Sequence, residues 1–211
     1  MMSGGLPEPI VGPDGVTLRR WVREDAGELG EAIADSIEHL RPWMPWVAHE
    51  PLSLTDRRAL IDRWDRECRA GGDVVMGVFL DGAVAGGCGL HRRIGPGGLE
   101  IGYWTARRFL RRGIASIAAG LLTDAAFADP VITRVEIHHD KANQASAGVP
   151  RKLGWRLAQT RPDEIQAPGE SGISCEWQIT RQEWQGRRDH PDAIGSDEGW
   201  GSTPSMRRCR R

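Results

Sequence analysis

The sequence predicts an α/β fold of the α+β kind: a mixed, mostly antiparallel central sheet of about seven strands flanked by about four helices. Three observations carry this. Segments such as Val16–Val22 alternate apolar and polar residues with the twofold period of half-buried strands. Asp81-Gly82 joins two apolar runs, "DVVMGVFL" and "AVAGGCGLHRR", as a tight antiparallel hairpin would. Helical segments return between the later strands, as crossovers between parallel strands require.

Taken in order, "VTLRRWV" is the first strand. "REDAGELGEAIADSIEHL" reads as a helix, with Asp25 as N-cap, Glu28 completing a capping box, and Leu29, Ile33, Ile37 and Leu40 on one face. Prolines in "RPWMPWVAHEP" end it. "LTDRRALIDRWDRECRAGG" is a second helix, capped by Thr55 or Asp56 and stopped by Gly71 and Gly72. The hairpin strands follow, then "LEIGYWT", a helix over Ile114–Ala128, and the strand "VITRVEIHHD". "NQASAGVPRKLGW" reads as a short helix ending at Gly154, before the last strands "WRLAQTR" and "GISCEWQITR". Residues 1–14 are expected to be a flexible N-terminus and 15–185 the folded domain. Residues 186–211, polar and rich in Gly, Pro and Ser, are expected to be a disordered tail ending in the charge run "RRCRR".

Composition narrows the function. At 211 residues, 39% hydrophobic and 27% charged, the chain suits one domain with a substantial core. A formal charge of -1 gives no basic field for nucleic acid. Cys68, Cys88, Cys175 and Cys209 form no CxxC or Cys/His cluster, so neither a metal site nor a disulfide framework is indicated. Reduced thiols, an N-terminus without signal-peptide regions, and no apolar run of about 20 residues point to a cytoplasmic protein.

"FLRRGIAS", Phe109–Ser116, lies between a strand and a helix N-terminus. Unpaired backbone N–H groups and the helix dipole favour an anion there. Gly113 lets the backbone approach a phosphate, Ala115 and Ser116 keep the first turn slim, and Arg111 and Arg112 add charge. The spacing fits neither a Walker loop nor GxGxxG.

With its context, "LEIGYWTARRFLRRGIASIAAGLLTDAAF" followed by "RVEIHHDKANQASAGVPRKLGW", the stretch resembles the acyl-CoA-binding core of the GNAT N-acetyltransferase superfamily. "SIEHLRPWMPW" and the helix start further resemble its Rim-type branch, the ribosomal-protein N-terminal acetyltransferases. The likeness covers about Val16–Trp184. The superfamily's [QR]-x-x-G-x-[GA] pattern falls on Leu110–Ala115; Gly113 and Ala115 match and Leu110 departs. The resemblance implies a sheet splayed between its two central strands, with pantetheine entering the gap and lying along Tyr103, Trp104 and Thr105. It implies a pyrophosphate on Arg111, Arg112, Gly113, Ile114, Ala115 and Ser116. Asn143, matching the branch's Asn-x-x-Ser, would contact the pantetheine arm, and Ser146 would lie near the sulfur. Asn143 is also a good N-cap. Gly102, midway along its strand, marks a bulge or a close backbone approach.

The chemistry implied is direct acyl transfer from acetyl-CoA to a primary amine, of a protein N-terminus or a small molecule, with no metal. A backbone N–H near Tyr103 or Trp104 would hold the oxyanion. Glu100, facing away from Leu99 and Ile101, is the base candidate; His138, His139 and Glu136 are rivals. The tyrosine many superfamily members use as acid falls on Pro150, which leaves Ser146. Trp43, Met44 and Trp46 are candidates for gripping the acceptor, and Glu164 and Glu170 for attracting a cationic amine. Two alternatives stay open: a CoA-binding module without catalysis, and a donor other than acetyl-CoA. A homodimer also stays open; nucleic acid and membrane are not expected partners.

Overall fold

The structure, a computed structural model, describes residues 8–189. One eight-stranded sheet runs in the order β1-β2-β3-β4-β5-β6-β8-β7. The strands are β1 (Ile10–Val11), β2 (Val16–Arg20), β3 (Val74–Leu80), β4 (Ala83–His91), β5 (Gly98–Thr105), β6 (Arg134–Asp140), β7 (Arg156–Pro162) and β8 (Ile173–Thr180). Every neighbouring pair is antiparallel except β5–β6. The helix α4 (Ile114–Ala128) makes the crossover that this parallel pair needs.

The two sheet faces carry different helices. On one, α4 and α5 (Gln144–Lys152) cover Leu18, Met76, Leu90, Leu99, Ile101, Val135 and Ile137. Alanines fill much of α4, so it lies close to the strands and buries Ala118, Ala119, Leu122 and Ala126. On the other face, α1 (Ala26–Ala34) and α3 (Leu54–Arg69) cover Trp21, Phe79 and Val84 with Leu29, Ile33 and Ile61. Only Arg57 and Ile61 of α3 are fully buried, one turn apart.

Several elements differ from the expectation. Of residues 1–14, expected to be flexible, 1–7 lie outside the described residues, and Ile10 and Val11 pair with Leu18 and Thr17. Asp14 (φ 55°) and Gly15 (φ 76°) turn the chain back tightly enough to form this extra strand. The expected first helix is broken: α1 ends at Ala34 and a single turn, α2 (Ile37–Leu40), follows. The break sits at Ser36, fully buried, whose hydroxyl accepts the backbone N–H of Arg107 at 2.9 Å. Asp25 does not cap α1 with its side chain; it accepts two bonds from Arg19 and one from the N–H of Val22. Ser53, not Thr55 or Asp56, caps α3 through the N–H of Asp56 at 3.1 Å.

The domain boundary at 185 falls inside a helix, α6 (Arg181–Asp189). Trp184 Nε1 donates to Asp124 at 2.8 Å, and Arg181 reaches the carbonyls of Phe127, Asp129 and Ile132. The rest of the expected tail, from residue 190 onward, lies outside the described residues. Gly102 marks no bulge, since β4 and β5 pair without a break from His91↔Glu100 to Gly86↔Thr105. The bulge is in β4, where Ala85 is the extra residue between Val78↔Gly86 and Phe79↔Val84.

Beside α3, Arg57 donates to both oxygens of Glu50 at 3.1 and 2.6 Å, with side-chain exposures of 4% and 5%. Glu50→Ala would leave a guanidinium buried without its counter-charge. Urea denaturation should show a stability loss of about 3–5 kcal/mol.

Candidate active site

The site opens where the parallel pair ends. β5 and β6 pair only at Gly98↔Arg134, Leu99↔Val135 and Glu100↔Glu136. Beyond that, β5 stays on β4 through Thr105 and β6 stays on β8 through Asp140. The β5 edge over Ile101–Thr105 therefore faces a gap with no strand partner among the described residues. At the far end, His39 Nε2 donates to the carbonyl of Thr105 at 3.0 Å.

Past β5 comes a single turn, Arg107–Phe109, and then the loop. Arg111 (φ 61°) and Gly113 (φ 77°) adopt left-handed backbone, and α4 begins at Ile114. A side chain at Gly113 would be strained and would stand 3.4 Å from Lys152 Nζ. The N–H groups of Ile114, Ala115 and Ser116 precede the first intrahelical bond, made by Ile117 to Gly113. Arg107, Arg108, Arg111, Arg112 and Lys152 have no ion pair among the described residues. Lys152 thus adds a cation beside Gly113 to the arginines that the turn and loop carry. Lys152, which arrives from the end of α5, was not legible as a partner of this loop.

On the face covered by α4 and α5, β5 meets α5. Asn143 Oδ1 accepts the N–H of Ser146 at 3.1 Å, the cap expected for α5. Pro150 lies inside this helix and has no N–H to give the carbonyl of Ser146 one turn earlier. Tyr103 takes that place: its hydroxyl donates to the Ser146 carbonyl at 3.1 Å and lies 3.0 Å from Ser146 Oγ. Burial pushes the Tyr103 phenol up to about 12, against a smaller opposing effect of Ser146, so it is protonated at neutral pH. The sole tyrosine, which the sequence placed away from the acid position, is therefore at the start of α5.

The opposite face of the same strands carries the charge. Glu100 is buried, 7% exposed in its side chain, and both its oxygens accept bonds from Arg93. His138 Nδ1 lies 3.6 Å from Glu100, and its Nε2 lies 2.7 Å from Glu136, which also accepts from Arg134 at 2.9 Å. His139 points the other way, as adjacent strand residues must. Its Nδ1 bonds the carbonyl of Asp140 at 2.8 Å and its Nε2 accepts from Trp177 at 3.0 Å, so neither nitrogen is free. Glu170 binds the N–H groups of Gln166 and Ala167, folding its own loop.

One pair here was not legible in the sequence. His91 Nδ1 lies 2.8 Å from Asp73, which also accepts the N–H of Arg92 at 2.9 Å. The ring lies over Gly102, where a Cβ would stand 3.0 Å from Nε2. His91, Glu100, His138 and Ser146 line one cleft of about 1660 Å³. Trp43 and Trp46 form its far wall, with Trp46 packed on Trp104 at 6.2 Å between ring centres. Trp104 lies flat on β4 because Gly87 has no side chain; a Cβ there would be 2.5 Å from the indole nitrogen.

Residues 16–156 match the family model described as the acetyltransferase (GNAT) domain. The chain belongs to the GNAT acetyltransferases. Among its relatives, the putative ribosomal N-acetyltransferase YdaF of Bacillus subtilis (strain 168) is 26% identical over 174 residues, 82% of this chain and 95% of that protein. Two solved structures share the fold. RimL, a ribosomal L7/L12 alpha-N-protein acetyltransferase in complex with CoA, is 20% identical with a TM-score of 0.75, covering 82% of this chain and 98% of that one. RimJ of Mycobacterium smegmatis in complex with CoA-disulfide is 23% identical with a TM-score of 0.71, covering 83% and 87%. The splayed strands of this GNAT domain are the feature that the resemblance implied.

Burial holds His139 below its usual 6.5, outweighing the bond to the Asp140 carbonyl. The unfolded chain takes up this proton first as pH falls. The stability that the neutral ring contributes is present above about pH 6.5 and is lost as pH drops through the lower folded value. Melting temperature should fall on acidification below about pH 6.5, and less steeply for His139→Gln than for the wild type.

Proposed function

We propose that this enzyme moves the acetyl group of acetyl-CoA to a primary amine, foremost the α-amine of a protein N-terminus, by direct transfer in a ternary complex in the cytoplasm. The reading rests on one observation: β5–β6 pairing ends at Glu100–Glu136, and the loop Arg111–Ser116 follows on the same strand. A pantetheine arm can add to the free edge of β5 at Tyr103, Trp104 and Thr105 as a further strand would. Its pyrophosphate then meets the N–H groups of Gly113–Ser116 and the charges of Arg111, Arg112 and Lys152. Asn143 borders the arm where α5 begins.

The thioester carbonyl lies along β5, where a backbone N–H of Tyr103 or Trp104 stabilises the tetrahedral oxyanion. The sulfur departs toward α5. Ser146 turns its hydroxyl hydrogen to the developing thiolate, with the Tyr103 oxygen 3.0 Å away. A thiolate with a conjugate acid near 8.5 needs only modest help to leave. The amine comes from the opposite face, past Trp43 and Trp46. Glu100 stands there with both oxygens on Arg93, so its part is to hold that arginine and the charge of the cleft.

One point favours an N-terminal acceptor. An α-amine, with a pKa of about 8, gives up its proton more readily than a lysine side chain. The names of YdaF and RimL support the same class.

Release of CoA thiol from acetyl-CoA, followed across N-terminal peptides and small amines, tests the reading. Peptides should be preferred, and silence across the whole panel would sink it. Gly113→Glu should weaken acetyl-CoA binding at least tenfold by calorimetry, about 1.4 kcal/mol. Ser146→Ala should lower kcat by roughly ten- to a hundredfold, about 1.4–2.7 kcal/mol, with acetyl-CoA affinity little changed.

A further inference from the structure

We infer that His91, held by Asp73, is the general base that takes the proton from the acceptor amine. The inference rests on the acetyl-transfer reading and assigns its unfilled role.

The tautomer is fixed by chemistry. An ionised carboxylate only accepts, so the Nδ1 beside Asp73 carries the hydrogen and Nε2 carries the lone pair. Nε2 makes no hydrogen bond among the described residues. It stands over Gly102, on the cleft-facing side of β5 and two residues past the last β5–β6 pair. An amine reaching a thioester that lies along Ile101–Tyr103 passes this nitrogen. Gly102 is what leaves room for the ring: a Cβ there would stand 3.0 Å from Nε2.

The other candidates are engaged. Arg93 takes both oxygens of Glu100, Glu136 and Glu100 flank His138, and His139 uses both nitrogens. The charged groups around His91 are Asp73 at the start of β3, Glu100 opposite on β5, and Arg92 and Arg93 just after its own strand. Arg63 and Arg66 of α3, and His138 of β6 beyond Glu100, line the same cleft.

In the step, an ammonium R–NH₃⁺ gives one proton to Nε2. The freed nitrogen attacks the thioester carbon, the C–S bond breaks, and sulfur leaves as thiolate. The second proton, on the new amide nitrogen, balances the thiolate to give CoA thiol. The imidazolium then releases its proton to solvent. His91 touches substrate and is catalytic; Asp73 positions it.

The test is steady-state kinetics with acetyl-CoA and an accepted amine from the panel. His91→Ala should lower kcat roughly a hundred- to a thousandfold while leaving acetyl-CoA affinity within about twofold. Added imidazole should restore part of the rate. The rising limb of the pH–kcat/KM profile should disappear or move. Asp73→Asn, which keeps the shape of the side chain, should lower kcat about tenfold and shift the same limb. Full kcat in folded His91→Ala, or a loss that imidazole does not rescue with the limb unmoved, overturns the assignment while the acetyltransferase reading stands. So does a limb that moves with Glu100→Gln and stays with His91→Ala, which returns the base to Glu100. A wild type that acetylates no amine brings down the reading and this inference together.

Discussion

The ending of one short ladder governs this molecule. Three residue pairs join β5 to β6, and the last is Glu100↔Glu136. Parallel strands in a sheet normally continue side by side, because each unpaired amide away from water costs free energy. Here each strand keeps its outer partner and the two separate. β5 follows β4, whose bulge at Ala85 and close contact of Gly86 with the Trp104 carbonyl fix that side. β6 follows β8 to Asp140, whose carboxylate binds Ala142, Ser171, Gly172 and Ile173. What remains is a slot edged with free backbone, and the rest of the site is arranged around it.

The departure at position 150 has a structural consequence that sequence comparison alone would read as a loss. Proline stands where the resemblance implied a tyrosine, and it also removes an N–H from the interior of α5. The carbonyl of Ser146 is left needing a donor, and the hydroxyl of Tyr103 supplies one from the next element. A buried phenol therefore ends beside the serine hydroxyl, at the start of α5.

What could be read from the residues, and what could not, divides along sequence distance. The hairpin at Asp81-Gly82, the glycine before α4 and the Asn143 cap depend on neighbours a few residues away, and all were legible. The strand at Ile10–Val11 and the helix over Arg181–Asp189 were not, since each is held by partners elsewhere. The His91–Asp73 pair needed one further fact. In a hairpin with no bulge, Asp73 would continue the register opposite Leu90. The extra residue Ala85 advances the pairing by one, so Val74 meets Leu90 and Asp73 comes opposite His91. A one-residue shift exchanges the faces of a strand's side chains relative to its partner. No signal in "AVAGGCGLHRR" says which residue is extra. Lys152 beside Gly113 was hidden for the same kind of reason, with a strand and a helix between them in the chain.

The alternation of a strand then separates the two sets of side chains to which the proposal gives its proton acceptor and its donor to sulfur. Gly102 and Tyr103 are consecutive, so what lies over one is across the sheet from what the other reaches. Above Gly102 are His91, Glu100 and the wall of tryptophans, where a charged amine can approach from the cleft. Below, Tyr103 and Ser146 sit against α5 in a drier setting, where burial keeps the phenol protonated. In the proposed mechanism the proton acceptor lies on this polar side and the hydrogen-bond donor to sulfur lies on the apolar side. In that mechanism the thioester carbon lies between the two sides, in the gap that the strands leave open.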